Sequence, residues 1–197
     1  MTPPPAAAKS RLWLVRHAAP LVAPGTCYGA LDVPADAQAT RAAAERLATA
    51  LPPGARVAHS TLQRCELLAH DLQALRPDLT FTPDARLREM DFGCWEGKTW
   101  DTIGKSAIDT WVAGFATHAP GGGESLAHML HRVAAALQTA REWRNDQGTM
   151  DVVWITHAGV ARCVAWLQER GESALPRSED WPAAAPGWGE WEIRELA

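Results

Sequence analysis

Two histidines stand at matching places in this sequence, each just past a run of apolar residues. Arg16-His17 closes the run Leu12-Trp13-Leu14-Val15, and Thr156-His157-Ala158-Gly159 closes Val152-Val153-Trp154-Ile155. A neutral imidazole can act as a nucleophile, provided a hydrogen bond to its second nitrogen fixes the tautomer. An arginine beside it suits a phosphate, because its planar fork binds two oxygens and stays charged at every relevant pH. Arg64 is a second such arginine. Ser60 and Gln63 fit a capping box that opens a helix and leaves Arg64 in or beside the first turn. Free amides and the positive helix end point there and also favour an anion. Phosphoryl transfer depends mainly on positioning and electrostatic stabilisation, and a leaving alkoxide needs a proton. A general acid must hold that proton near neutral pH, which like-charge repulsion from a bound phosphate favours. Glu89 and Asp91, in the irregular stretch Leu87 to Lys98, are the candidate carboxyls. Taken alone, Glu89 reads first as a solvated loop carboxylate.

These groups need a frame to bring them together. The two apolar runs predict buried parallel strands over about 11–15 and 151–155, which would place both histidines at the carboxyl edge of one sheet. Further strands are expected over 55–59 and 79–82. Helices are expected over about 36–51, from Ser60 to about 75, from near Glu124 onward, and over 159–170. The long helix buries Leu126, Met129, Leu130, Val133, Ala134 and Leu137. Residues 18–34 and 95–120 read as loops, and the alternation of Trp191 and Ile193 with charges reads as an edge strand. Strand–helix alternation implies an α/β fold with a mostly parallel sheet flanked by helices.

Composition sets bounds. With 197 residues, the chain fits one domain over 11–197 preceded by a loose, disordered Pro- and Ala-rich tail over 1–10. The formal net charge of -4 argues against nucleic acid as the main partner. No apolar run suits a signal peptide or a membrane span, so a cytoplasmic protein is expected. The number of chains in the working assembly is not fixed by the sequence. Cys27, Cys65, Cys94 and Cys163 are scattered without a CxxC pair. His128 and His131 lie three apart on a helix but lack a third ligand at suitable spacing, so they read as a solvated face. No metal or other cofactor is expected.

Five segments follow one another in an order that resembles the histidine phosphatase superfamily, in its phosphoglycerate mutase-like branch. They are Leu14-Val15-Arg16-His17, Ser60 to Cys65, Leu87 to Gly97, Gly122-Gly123-Glu124-Ser125 and Thr156 to Val160. The resemblance implies a three-layer αβα sandwich. It implies that His17 is the phosphorylated nucleophile, that Arg16, Arg64 and His157 bind the phosphate, and that Glu89 is the proton donor, with no metal required. Glu124 looks like a loop-ordering residue behind the site, and Asp91 and Glu96 read in the same way. Residues 24–34 and 89–97 are similar to those of alpha-ribazole phosphatases. That similarity implies a small phosphorylated substrate, the 5′-phosphate of alpha-ribazole phosphate or of a cobamide phosphate in cobalamin assembly.

The sequence departs from the family pattern in two places. Ala18 stands where the family has glycine, which is unfavourable if that position needs positive φ. Ala19-Pro20 replaces the usual Glu-Ser/Thr, and the mutases' phosphate-contacting asparagine is absent. No second basic cluster is visible for a bisphosphate, so a mutase is disfavoured. Two other readings remain open: a broad-specificity or phosphohistidine phosphatase of the same fold, and a phosphoanion-binding module without turnover.

Overall fold

The computed structural model describes residues 10–147 and 151–196, without the side chains of residues 144–147. Its sheet has five strands: β1 (Arg11–Arg16), β2 (Arg56–His59), β3 (Thr80–Pro83), β4 (Val152–Thr156) and β5 (Trp191–Glu195). They are ordered β3-β2-β4-β1-β5. All neighbours are parallel except β1 and β5, so β5 is the antiparallel edge strand expected around Trp191 and Ile193. Six α-helices lie among the described residues: α1 (Ala37–Ala50), α2 (Gln63–Leu75), α3 (Trp100–Ile103), α4 (Lys105–Ala113), α5 (Leu126–Gln147) and α6 (Ala158–Arg170).

The three layers follow from alternation along the central strands. Leu12 and Leu14 of β1, with Val152 and Trp154 of β4, pack into one core with α5 and α6. Trp13, Val15, Val153 and Ile155 pack into the other with α1 and α2. Because both faces are covered, the strands read as unbroken apolar runs. The register pairs Arg16 with Thr156, so His17 and His157 emerge side by side at one sheet edge.

Several local expectations change. Ser60 and Gln63 form no capping box. The N-cap of α2 is Leu62, with no side-chain cap. Gln63 turns instead to Asp32, donating from its amide to Oδ1 and from Nε2 to the carbonyl. Ser60 is drawn away toward His157. Helix α5 begins after Glu124, at Leu126, where Ser125 Oγ accepts from the His128 amide. The span 95–120 is not all loop, since α3 and α4 lie within it around Gly104, whose φ is 84°. Residues 1–9 of the expected tail lie outside the described residues. Ser10 is buried, and its carbonyl accepts from the Leu196 amide at 2.9 Å, so it belongs to the fold.

Candidate active site

His17 leaves β1 at the sheet edge, almost completely buried, and lines a cavity of about 390 Å³. Its Nδ1 donates to the Ala18 carbonyl at 2.7 Å. A carbonyl can only accept, so this bond fixes the proton on Nδ1 and leaves a lone pair on Nε2. Burial, and then the charges of Arg64 and Arg16, push the His17 pKa from 6.5 down to about 3. The ring is therefore neutral throughout the physiological range, the state a nucleophile needs. Ala18 sits comfortably in place of glycine. Its methyl is buried, and no non-glycine among the described residues has positive φ.

His157 follows β4 at the N-cap of α6. Its ring centroid lies 5.1 Å from that of His17, at an interplanar angle of 60°. His157 Nε2 lies 2.9 Å from Ser60 Oγ. Ser60 Oγ also accepts from the Leu62 amide, and Cys65 Sγ lies 3.5 Å from the same His157 nitrogen. The other ring nitrogen, Nδ1, is buried and has no partner among the described residues. His157 stands behind His17 and does not itself line the cavity. Burial first, and then the charges of His17 and Arg64, hold this imidazole well below its ordinary pKa.

Arg64, in the first turn of α2, is fully buried. Its two terminal nitrogens donate to the carbonyls of Leu31 and Gly29, and its guanidinium lies over the Tyr28 ring. The arginine thus ties the 28–31 loop to the site and is not a wholly free fork. Its Nε has no partner among the described residues. Arg16 donates from Nη1 to the Pro186 carbonyl and lies 5.3 Å over Trp188. Burial lowers its pKa, and its Nε is also without a partner among the described residues. The Trp-rich C-terminal segment, to which the sequence assigned no role beyond an edge strand, therefore orients Arg16.

Glu89 lines the same cavity as His17. Its Oε1 accepts from its neighbour's amide at Met90, and its Oε2 accepts from the Gly159 amide at the start of α6. The backbone beneath it is clamped from behind. Glu124 binds Arg132 through two 2.7 Å contacts, and Arg132 donates to the carbonyls of Arg86, Arg88 and Glu89. Glu124 thus connects to the backbone that carries Glu89 through Arg132, an arginine that the sequence reading missed. Glu96 accepts from the amides of Gly29, Ala30, Leu31 and Phe92, joining the 28–31 loop to the Glu89 segment. Asp91 accepts from the Gly93 amide. Both are loop-ordering groups.

The cavity also holds residues that sequence reasoning passed over. Arg162 lines it from α6, one turn beyond Ala158, with no partner for its Nε among the described residues. Its i, i+4 spacing from Ala158, the residue after the strand-end histidine, was its available signal. Tyr28, Trp100, Trp111, Phe115 and Trp181 supply much of the remaining wall. His128 and His131 are exposed on α5 and take no part in it.

A sequence profile described as the histidine phosphatase superfamily (branch 1) matches residues 12–184. The chain belongs to this superfamily. It is a phosphatase with the superfamily's phosphoglycerate mutase-like fold. No curated protein matches its sequence significantly. Among solved structures it is similar to a mycobacterial glucosyl-3-phosphoglycerate phosphatase, with 29% identity and a TM-score of 0.74, covering 94% of this chain and 90% of the other. A structure of that mycobacterial protein holds vanadate (VO3), and another holds inorganic phosphate. A protein from Thermus thermophilus is 29% identical with a TM-score of 0.64, covering 93% of this chain and 92% of its own. A candidate alpha-ribazole-5′-phosphate phosphatase from Escherichia coli K-12 shares the fold, with a TM-score of 0.74 at 22% identity and coverage of 94% and 90%.

Proposed function

We propose that this histidine phosphatase hydrolyses small phosphomonoesters through a phosphohistidine at His17. The carrying observation is the hydrogen bond from His17 Nδ1 to Ala18, which presents a neutral Nε2 to the cavity beside Arg16 and Arg64. In this reading His17 Nε2 attacks phosphorus while Glu89 protonates the departing oxygen. Glu89 then takes a proton from water as water attacks the phosphohistidine. Arg16 and Arg64, which line the cavity, stabilise the phosphoryl oxygens together with the His157 imidazole behind them. These arginines supply the positive charge that a metal would otherwise bring. The filled nucleophile and acid positions favour turnover over a binding module.

The finer reading is removal of the 5′-phosphate of alpha-ribazole phosphate or a cobamide phosphate in the cytoplasm. The segments that resemble alpha-ribazole phosphatases, 24–34 and 89–97, support it, and Glu96 bonds them together beside the cavity. Arg162 favours a second reading. A third cation in the cavity suits an ester whose leaving group bears a carboxylate, as in the phosphoglycerate compound named for the mycobacterial relative. The two separate by kcat/KM measured in EDTA. Alpha-ribazole 5′-phosphate should exceed glucosyl-3-phosphoglycerate by at least about tenfold, a difference of ~1.4 kcal/mol in transition-state binding. The reverse order assigns the second reading. Loss of turnover in EDTA, restored by a divalent ion, contradicts the arginine-based site.

The seat of Glu89 gives a further prediction. A Cβ on Gly159 would overlap Glu89 Oε1. Gly159→Ala must therefore displace the carboxyl. Hydrolysis of an alkyl phosphate should fall roughly 10²-fold, at the lower end of general-acid effects, with a smaller loss on an aryl phosphate. Equal rates for Gly159→Ala and the unaltered chain on both esters would contradict this placement.

A further inference from the structure

A second cavity, of about 380 Å³, shares Glu89 with the His17 cavity and no other residue. Its charged and titratable lining groups are Arg88, Glu89, Asp91, Glu124, His128 and Arg132. Nearly all of these charges are already matched. Arg132 engages all five of its N–H donors, two on Glu124 and three on the carbonyls of Arg86, Arg88 and Glu89. Both oxygens of Glu124 are thereby taken. Both oxygens of Glu89 accept backbone amides, from Met90 and Gly159. Asp91 is exposed, and its Oδ1 accepts from the Gly93 amide. Arg88 differs from its neighbours. Its one hydrogen bond among the described residues runs from Nη2 to the Ala30 carbonyl at 3.5 Å, the outer limit for such a contact. No carboxylate among the described residues pairs with it. A half-buried guanidinium facing a cavity without a counter-ion is suited to an anion, and its planar fork matches a carboxylate through two parallel N–H···O bonds. The Asp91 carboxylate on the same wall repels negative charge, which disfavours a phosphate dianion against a monoanion. The volume is that of a small-molecule site.

We infer that this second cavity is a binding site for a small carboxylate, held by the Arg88 guanidinium and bordered by His128. The occupant lies beside Glu89 without meeting the group bound at His17. Its binding requires no phosphohistidine chemistry.

Acetate is the probe, and the His128 ring signal in a carbon–proton NMR correlation spectrum is the readout, identified by its loss in His128→Gln. Ionic strength is held constant, so that general screening does not change. In the unaltered chain the His128 signal should move saturably with acetate, with a Kd on the order of millimolar, the scale of one bidentate charge-assisted contact. A stoichiometric amount of vanadate, which occupies the His17 cavity, should leave that Kd unchanged. Arg88→Met should weaken acetate by at least about tenfold. Asp91→Asn removes the opposing charge and should tighten acetate by roughly two- to fivefold. Inorganic phosphate in mildly basic buffer, where it is a dianion, should move His128 about fivefold less tightly than acetate. A His128 signal that does not saturate with acetate overturns the inference, and that result needs no variant. So does a Kd unmoved by Arg88→Met, or a response abolished by vanadate, which would place the acetate at His17. Phosphate binding more tightly than acetate overturns the carboxylate assignment. Failure of the phosphohistidine mechanism would show in the turnover experiments and would leave the His128 titration unaffected.

Discussion

Turnover of an alkyl phosphate falls by about 10⁴- to 10⁶-fold when His17 is replaced by alanine, the scale of losing a nucleophile on which both chemical steps depend. The size of the effect follows from the geometry. His17 is the imidazole that meets the cavity with a lone pair, because its Nδ1 proton is donated to Ala18. His157 cannot take over, since its Nε2 is engaged by Ser60 and its ring is enclosed. Steady-state release of phosphate measures the loss. Calorimetric binding of vanadate to the same variant shows whether the site persists, because Arg16 and Arg64 remain. Activity within about tenfold of the unaltered chain would show that phosphate transfers directly to water or to another residue.

The second large effect lies at Glu89. An alkyl phosphate leaves as a strongly basic alkoxide and needs a proton, whereas para-nitrophenyl phosphate leaves as a stable phenolate. Glu89→Gln should therefore slow phosphoenzyme formation from the alkyl ester by roughly 10²–10⁴-fold, with a much smaller loss on the aryl ester. Glutamine keeps an oxygen for the Gly159 or Met90 amide, so the local backbone is retained while the transferable proton is lost. Rapid-quench timing of the first step is needed because breakdown of the phosphohistidine can limit turnover. Asp91→Asn and Glu96→Gln provide the contrast. Glu96 gathers the amides of the 29–31 loop, whose carbonyls in turn hold Arg64. Its loss should lower activity on both esters in proportion. Equal losses on the two esters for Glu89→Gln, or a split at Asp91, would move the proton donor elsewhere.

The parts of this protein that were legible in the sequence are those set by local pattern. A strand covered on both faces must be apolar throughout, so β1 and β4 could be read directly, and the histidines after them fell at one edge. The helix expected over about 36–51 is α1, which Asp36 caps. What failed was chemistry whose partner lies far along the chain. Ser60 followed by Gln63 fits a capping box, yet Ser60 turns to His157 and Gln63 to Asp32, which packing alone brings near. Arg132 was overlooked because its acceptors include three backbone carbonyls, which no side-chain motif encodes. The helices α3 and α4 are four and nine residues long and meet at Gly104, too short for a persistent 3.6-residue period. Missing them also hid the aromatic wall they carry.

The central claim is that phosphate passes through His17, and the position of a trapped phosphoryl group tests it most directly. The protein is mixed briefly with ³²P-labelled alkyl phosphate, quenched in base, digested under basic conditions, and the labelled peptide is sequenced. A phosphoramidate survives base and is lost in acid. The account predicts one acid-labile label, on His17. A label on His157, or an acid-stable label on a hydroxyl or carboxyl group, would contradict it.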